Sequence, residues 1–132
     1  MSDKKVILCV DDEKTILKSL KAQLKKHFSK NYTYECAESA IEALEILEEL
    51  SKDGVQIMVI VSDWLMPQMK GDEFLVQVHQ KFPNITKVML TGQANEDAIE
   101  RARREANLGY CIHKPWSEQE LIAVLESSLG NT

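Results

Sequence analysis

No apolar run in this chain of 132 residues approaches the roughly 20 residues that a helix needs to cross a bilayer. Met1-Ser2-Asp3-Lys4-Lys5 leads straight into a short apolar segment, without the long apolar core and small-residue cleavage site of a signal peptide. A soluble cytoplasmic protein with no membrane partner is therefore expected. Cysteine is sparse as well. Cys9, Cys36 and Cys111 fall far apart in strand-like segments with no C-x-x-C pair, which favours buried free thiols over metal ligands or a redox pair. His27, His79 and His113 lack metal-ligand spacing. Positive charge is in deficit, and a net charge of -5 argues against a direct nucleic-acid partner.

Repeats, low-complexity stretches and linkers are also missing, so residues 1–132 are expected to form one domain with a core of about 5–129. A hydrophobic content of 44% is enough for a real core. Strand and helix patterns alternate along it. Residues 5–10 read as a strand, and 14–28 as a helix with Ile16, Leu17, Leu20, Leu24 and Phe28 on one stripe. Tyr32 to Cys36 reads as the second strand. Ser39-Ala40-Ile41-Glu42 is a capping-box pattern opening a helix that turns Ile41, Leu44, Leu47 and Leu50 inward, and Asp53-Gly54 closes it. Residues 57–62 form the most apolar strand. A helix after Gly71 ends at Pro83-Asn84, and Ile85 to Leu90 is the fourth strand. Asn95 caps a helix over 96–106, Tyr110 to His113 is the fifth strand, and Ser117 to Glu120 opens the last helix. Lys14, Lys18, Lys21, Lys25 and Lys26 on the first helix, and Glu38, Glu42, Glu45, Glu48 and Glu49 on the second, read as solvated faces, as do Arg101, Arg103 and Arg104.

Strands alternating with helices imply an α/β fold with a parallel sheet covered on both faces, and ligands bind at the strands' C-terminal edge. That edge collects Asp11 and Asp12 after the first strand and Asp63 after the third. Thr91 follows the fourth strand and Lys114 the fifth. Carboxylates crowded together repel, so they imply a divalent cation, a raised pKa, or both. An oxygen-only site suits Mg2+, Thr91 offers a hydroxyl donor, and Lys114 offers a compact charge for an anionic oxygen. This is equipment for phosphoryl transfer. No Ser-His or Cys-His arrangement is evident, so the nucleophile must be a carboxylate. Asp63 is the best placed, because it follows the most buried strand and is central in the sheet.

Four motifs stand in order at strand ends: Val10-Asp11-Asp12-Glu13, Asp63-x-x-Met66-Pro67-x-Met69-x-Gly71, Leu90-Thr91-Gly92 and Lys114-Pro115-Trp116. With them, from about Lys5 to Leu129, the chain resembles the response-regulator receiver domain of two-component signalling. The resemblance implies a doubly wound, flavodoxin-like fold of five strands in the order 2-1-3-4-5 with five helices. It implies a signalling switch rather than an enzyme, one that takes a phosphoryl group on Asp63 from a histidine kinase or histidine phosphotransfer protein and acts on a downstream effector domain or protein. A homodimer formed on phosphorylation is also compatible with it. Asp12, Asp63 and the Leu65 backbone carbonyl would bind Mg2+, with Asp11 acting mainly through metal-bound water. Thr91 would close onto the phosphoryl group, Lys114 would pair with one of its oxygens, and Gly92 would leave room for it. The fourth helix and fifth strand would belong to the surface that partners read.

Two departures stand out. Receivers commonly carry an aromatic residue three positions before the lysine, and here that position is Cys111, with Tyr110 one residue earlier. Leu65 and Gln93 occupy positions that tune hydrolysis of the acyl phosphate, and Leu65 cannot hold a water, so slow loss of phosphate is expected. Trp64 and Trp116 flank the expected pocket, Trp116 as a partly buried edge residue and Trp64 as either that or a partner anchor. Two other functions share part of the pattern. A flavodoxin-like electron carrier needs a phosphate-cradling loop where Asp11-Asp12-Glu13 stands. An aspartate-nucleophile small-molecule phosphatase needs an aspartate where Leu65 stands. A degenerate receiver scaffold would lack part of the acidic, hydroxyl and lysine set.

Overall fold

Runs of aliphatic residues pair side by side, all parallel, into one sheet in the order β2-β1-β3-β4-β5. The computed structural model describes residues 4–92 and 96–130. The strands are β1 (Lys5–Val10), β2 (Thr33–Ala37), β3 (Gln56–Asp63), β4 (Thr86–Thr91) and β5 (Tyr110–His113). The helices are α1 (Lys14–Phe28), α2 (Ala40–Lys52), α3 (Gly71–Lys81), α4 (Glu96–Ala106) and α5 (Glu118–Ser128). Because β1, β3 and β4 are covered on both faces, their residues are apolar almost without alternation.

One face packs Val6, Leu8, Val10, Ile60 and Met89 against α2, α3 and α4. The other packs Ile7, Cys9, Val59, Val61, Val88, Leu90 and Ile112 against α1 and α5. Ser39 and Ser117 cap α2 and α5, each hydroxyl accepting from the backbone N–H three residues on, at 3.1 and 3.0 Å. Gly54, at φ +71°, closes α2 in the left-handed conformation glycine adopts without strain. No helix among the described residues is long and apolar enough to cross a membrane.

The structure corrects several expectations in detail. A 3-10 turn at Ser29–Asn31 delays β2 to Thr33, and Tyr32 instead stands edge-on to Phe28 at 5.8 Å between ring centroids. Ile41 does not turn inward: it is 49% exposed, while Ala40, Ala43 and Leu47 make the buried stripe and Leu44 and Leu50 pack at its margin. The small alanine side chains let the helix sit close to the sheet along their own line, which rotates Ile41 to the outside. Cys9 and Cys36, remote in sequence, are register partners on β1 and β2, unbonded, with Cys9 buried and Cys36 half-buried. Asn95, the expected cap of α4, lies outside the described residues.

β3 also carries a bulge. Val6 pairs with Ile57 but Ile7 pairs with Val59, so Met58 is the extra residue. An inserted residue flips every later side chain to the other face. It puts Val59, Val61 and Asp63 on the α1/α5 side and Ile60 on the α2/α3/α4 side.

Candidate functional site

The C-terminal ends of β1, β3, β4 and β5 surround a cavity of about 340 Å³ lined by Asp12, Glu13, Asp63, Leu65, Gly92 and Lys114. Asp11 is fully buried. Its backbone N–H donates to Ala37 at 3.1 Å, and its Oδ1 accepts the Glu13 N–H at 2.9 Å. Lys114 Nζ stands 3.0 Å from Asp11 Oδ2 and 3.0 Å from Asp63 Oδ1. Asp11, Asp12 and Asp63 offer carboxylate oxygens all within 4.8 Å of one another. Thr91 is buried at the end of β4, and its carbonyl accepts the Lys114 N–H at 2.8 Å. The Lys114–Pro115 peptide is cis. The structure thus gathers all the sequence-identified site residues, with Asp12 exposed and Asp11, Asp63 and Thr91 enclosed.

Electrostatics follow from that enclosure. Burial raises the Asp63 carboxyl above the usual carboxylate range; the Lys114 hydrogen bond opposes this, and the Asp11 and Asp12 charges reinforce it. Burial pulls the Lys114 ammonium down, but the hydrogen bonds it donates to Asp11 and Asp63 outweigh it and the net shift is upward. The two directions agree physically: one lysine is shared by two carboxylates, so it is held charged while Asp63 is only partly compensated. The donors are hard oxygens in an open cleft, which is the chemistry Mg2+ prefers.

Residues 7–126 match the family described as response regulator receiver domain. The chain belongs to that family. Among relatives, it is 30% identical over 129 residues to the sensor kinase CckA of Brucella abortus and 31% identical over 130 residues to the hydrogenase transcriptional regulatory protein HoxA of Cupriavidus necator. It covers 98% of itself in both matches but spans only 13% of that kinase and 25% of that regulator. Among solved structures it is similar to the signal receiver domain of an HD domain-containing protein from Pseudomonas fluorescens Pf-5. That match has 31% identity and a TM-score of 0.85 and covers 96% of this chain and 95% of that one.

In this receiver domain the aromatic departure is sharper than the sequence shows. Cys111 is half-buried on the α2/α3/α4 face, opposite Met89. Tyr110 alternates with it, pairing with Val88 on the α1/α5 face, so it cannot stand in for an aromatic beneath α4. Neither tryptophan lines the cavity. Trp116 donates to Gln23 Oε1 at 2.9 Å and packs on the α1/α5 side. Trp64 is not an exposed anchor: it is 8% exposed, its indole N–H donates to Asp72 Oδ1 at 3.0 Å, and Lys70 Nζ lies 5.1 Å from its ring centroid.

Sequence reasoning passed over three positions. Gly71 reads in the sequence as a motif letter and a helix boundary; yet a Cβ there would overlap the Asp63 carbonyl oxygen and come within 2.8 Å of Trp64 Cα, so the helix start can press against the phosphoacceptor candidate only as glycine. Asp72, in the first turn of α3, carries no mark in the sequence and is buried. Lys87, in a strand that reads as apolar, is 1% exposed and donates to the Ile85 carbonyl at 2.7 Å, with His79 Nδ1 at 3.2 Å; burial lowers its pKa. Single-residue spacing cannot reveal such pairings. Gln93 lies outside the described residues.

Proposed function

We propose that the chain is a phosphorylatable switch in which Asp63 accepts a phosphoryl group from a phosphohistidine on a histidine kinase or phosphotransfer protein. The observation that carries this is the position of Asp63, 3.0 Å from Lys114 and clustered with Asp11 and Asp12 at the sheet edge. An Asp63 carboxylate oxygen attacks phosphorus, the P–N bond breaks as the P–O bond forms, and the imidazole leaves with the electron pair, taking a proton from solvent. Asp11, Asp12, Asp63 and the Leu65 carbonyl would hold Mg2+. When bound, that ion neutralises charge on the phosphoryl oxygens. Lys114, already charged and directed at Asp63, pairs with a phosphoryl oxygen once the group arrives. Thr91, beside Gly92 at the rim, supplies a hydroxyl to another.

The chemistry is confined to the chain's own phosphorylation and dephosphorylation. The output is a changed surface offered to an effector domain or protein in the cytoplasm. Residues 1–132 carry one receiver unit in this reading, around the family match at 7–126. Incubation with acetyl phosphate and Mg2+ followed by intact mass tests the reading. One added phosphoryl group, lost in Asp63→Asn, is expected; no gain in the parent protein would refute it.

A further inference from the structure

We propose that Asp72 is a positioning residue that ties the phosphoacceptor segment to α4 through the chain Trp64–Asp72–Arg101. The inference rests on Asp63 being the phosphoacceptor. Trp64, the next residue, is clamped at its backbone: its N–H donates to the Leu90 carbonyl at 2.9 Å and its carbonyl accepts the Gly71 N–H at 2.7 Å. Its indole then donates to Asp72 Oδ1 at 3.0 Å, while Asp72 Oδ2 faces Arg101 Nη1 on α4 at 3.5 Å. Arg101 Nε is also 3.6 Å from Glu105. One buried carboxylate therefore joins the segment after Asp63 to the helix across from it.

The two halves of this link differ in strength. The indole bond is short and buried, and Asp72 sits in the first turn of α3, where the helix dipole favours a carboxylate. The Arg101 contact is longer, and the arginine side chain is 39% exposed. A half-solvated ion pair is the weaker partner, so it is the contact that yields when α4 shifts. Leaving a buried carboxylate short of one donor is costly, so Asp72 must readjust, and the indole follows because it holds the other oxygen. Cys111 and Tyr110 provide no aromatic route on that face, and among the described residues this chain is a polar connection that runs beside the apolar packing of Trp64 with Ala98, Ile99 and Ala102. Coupling of this kind is reciprocal: whatever fixes α4 alters the setting of Asp63.

The test uses the whole chain labelled with 15N, with the Trp64 indole resonance assigned by comparison with Trp116→Phe. Addition of Mg2+ and beryllofluoride should displace the Trp64 indole signal. In Arg101→Gln the chain should still gain one phosphoryl group from acetyl phosphate, while the indole displacement falls at least about twofold; Arg101→Lys should restore part of it. Asp72→Asn should move the resting indole signal itself. If it fails to fold, Arg101→Gln decides alone. A wild-type displacement in Arg101→Gln, with phosphorylation intact, overturns the link. Absence of any phosphoryl gain in the parent protein instead removes the phosphoacceptor reading and the link with it.

Discussion

Asp11 and Lys114, 103 residues apart in sequence, meet at 3.0 Å, and the same ammonium stands 3.0 Å from Asp63. Asp11 is wholly enclosed, so this contact is the condition under which two carboxylates can share the end of a sheet. Lys114→Met keeps the aliphatic bulk and removes the charge. Breaking a buried pair from one side costs about 3–5 kcal/mol, and a lysine side chain that is 19% exposed should bring the loss toward ~2 kcal/mol. Denaturant titration should show that loss in metal-free buffer and a partial recovery with Mg2+. Equal stability of variant and parent would show that the pair is energetically idle.

Asp63 gives a pH-dependent prediction. Burial, with Asp11 and Asp12 nearby, holds its carboxyl above the usual range despite Lys114. A carboxyl raised in the fold stabilises it below the unfolded-state value, and that contribution is lost as pH rises through the folded value. At neutral pH the ionised side chain is therefore a cost, and Asp63→Asn should raise the Tm in metal-free buffer by a few degrees, the scale that ~1 kcal/mol carries in a domain of this size. The gap should close on acidification. Mg2+ should reverse the order, because it stabilises the parent by mass action. A variant that melts earlier than the parent at neutral pH without metal contradicts the argument.

Gly71→Ala places a methyl on the Asp63 carbonyl and within 2.8 Å of Trp64 Cα, both backbone atoms that cannot swing away. A loss of about 2–4 kcal/mol is expected, together with slower phosphorylation from acetyl phosphate because the Asp63 backbone must move. Melting and mass kinetics check both. Wild-type behaviour in either would mean that α3 can retreat freely.

Leu65 presents an apolar side chain, 47% exposed, to the cavity beside Asp63. It offers no hydrogen bond to orient a hydrolytic water, so the acyl phosphate should be long-lived. Leu65→Asn should hasten its loss about tenfold, which corresponds to ~1.4 kcal/mol of barrier. The decay of the phosphorylated mass over time measures this, and a parent lifetime of seconds would defeat it.

Ile41→Ser should change stability by no more than about 0.5 kcal/mol, as expected of a surface position. The apolar stripe read from the sequence turns Ile41 inward, so a loss typical of buried isoleucine would return it to the core. This position shows where sequence patterning loses resolution. The apolar residues of α2 are spread widely enough to define two stripes, and the choice between them was made by how closely Ala40 and Ala43 approach the sheet. By contrast, α1 and β5 carried unambiguous periods and end where their patterns end, at Lys14–Phe28 and Tyr110–His113.

The candidate site was legible because its residues sit immediately after apolar runs, and a parallel sheet leaves the ends of such runs at one edge whatever the loops do. Asp11, Asp12, Asp63, Thr91 and Lys114 needed only strand order to become neighbours. Asp72, Arg101 and Lys87 were not legible. Their environment comes from helix packing and from register, and a charged residue in a helix or strand pattern carries no mark of the partner it will meet.

Local chemistry written along the chain, in the alternation of apolar strands with capped amphipathic helices and in acids placed at strand ends, determined the α/β class and the list of groups at the sheet edge. Folding in three dimensions decided which face each of them took. The extra residue at Met58 sets the side on which Asp63 emerges, alternation on β5 sends Tyr110 away from α4, and the meeting of Trp64 and α4 over α3 makes Asp72 a buried junction. Side-chain facing and burial depend on contacts between segments remote in sequence, and those contacts exist only once the sheet and its helices have closed on one another.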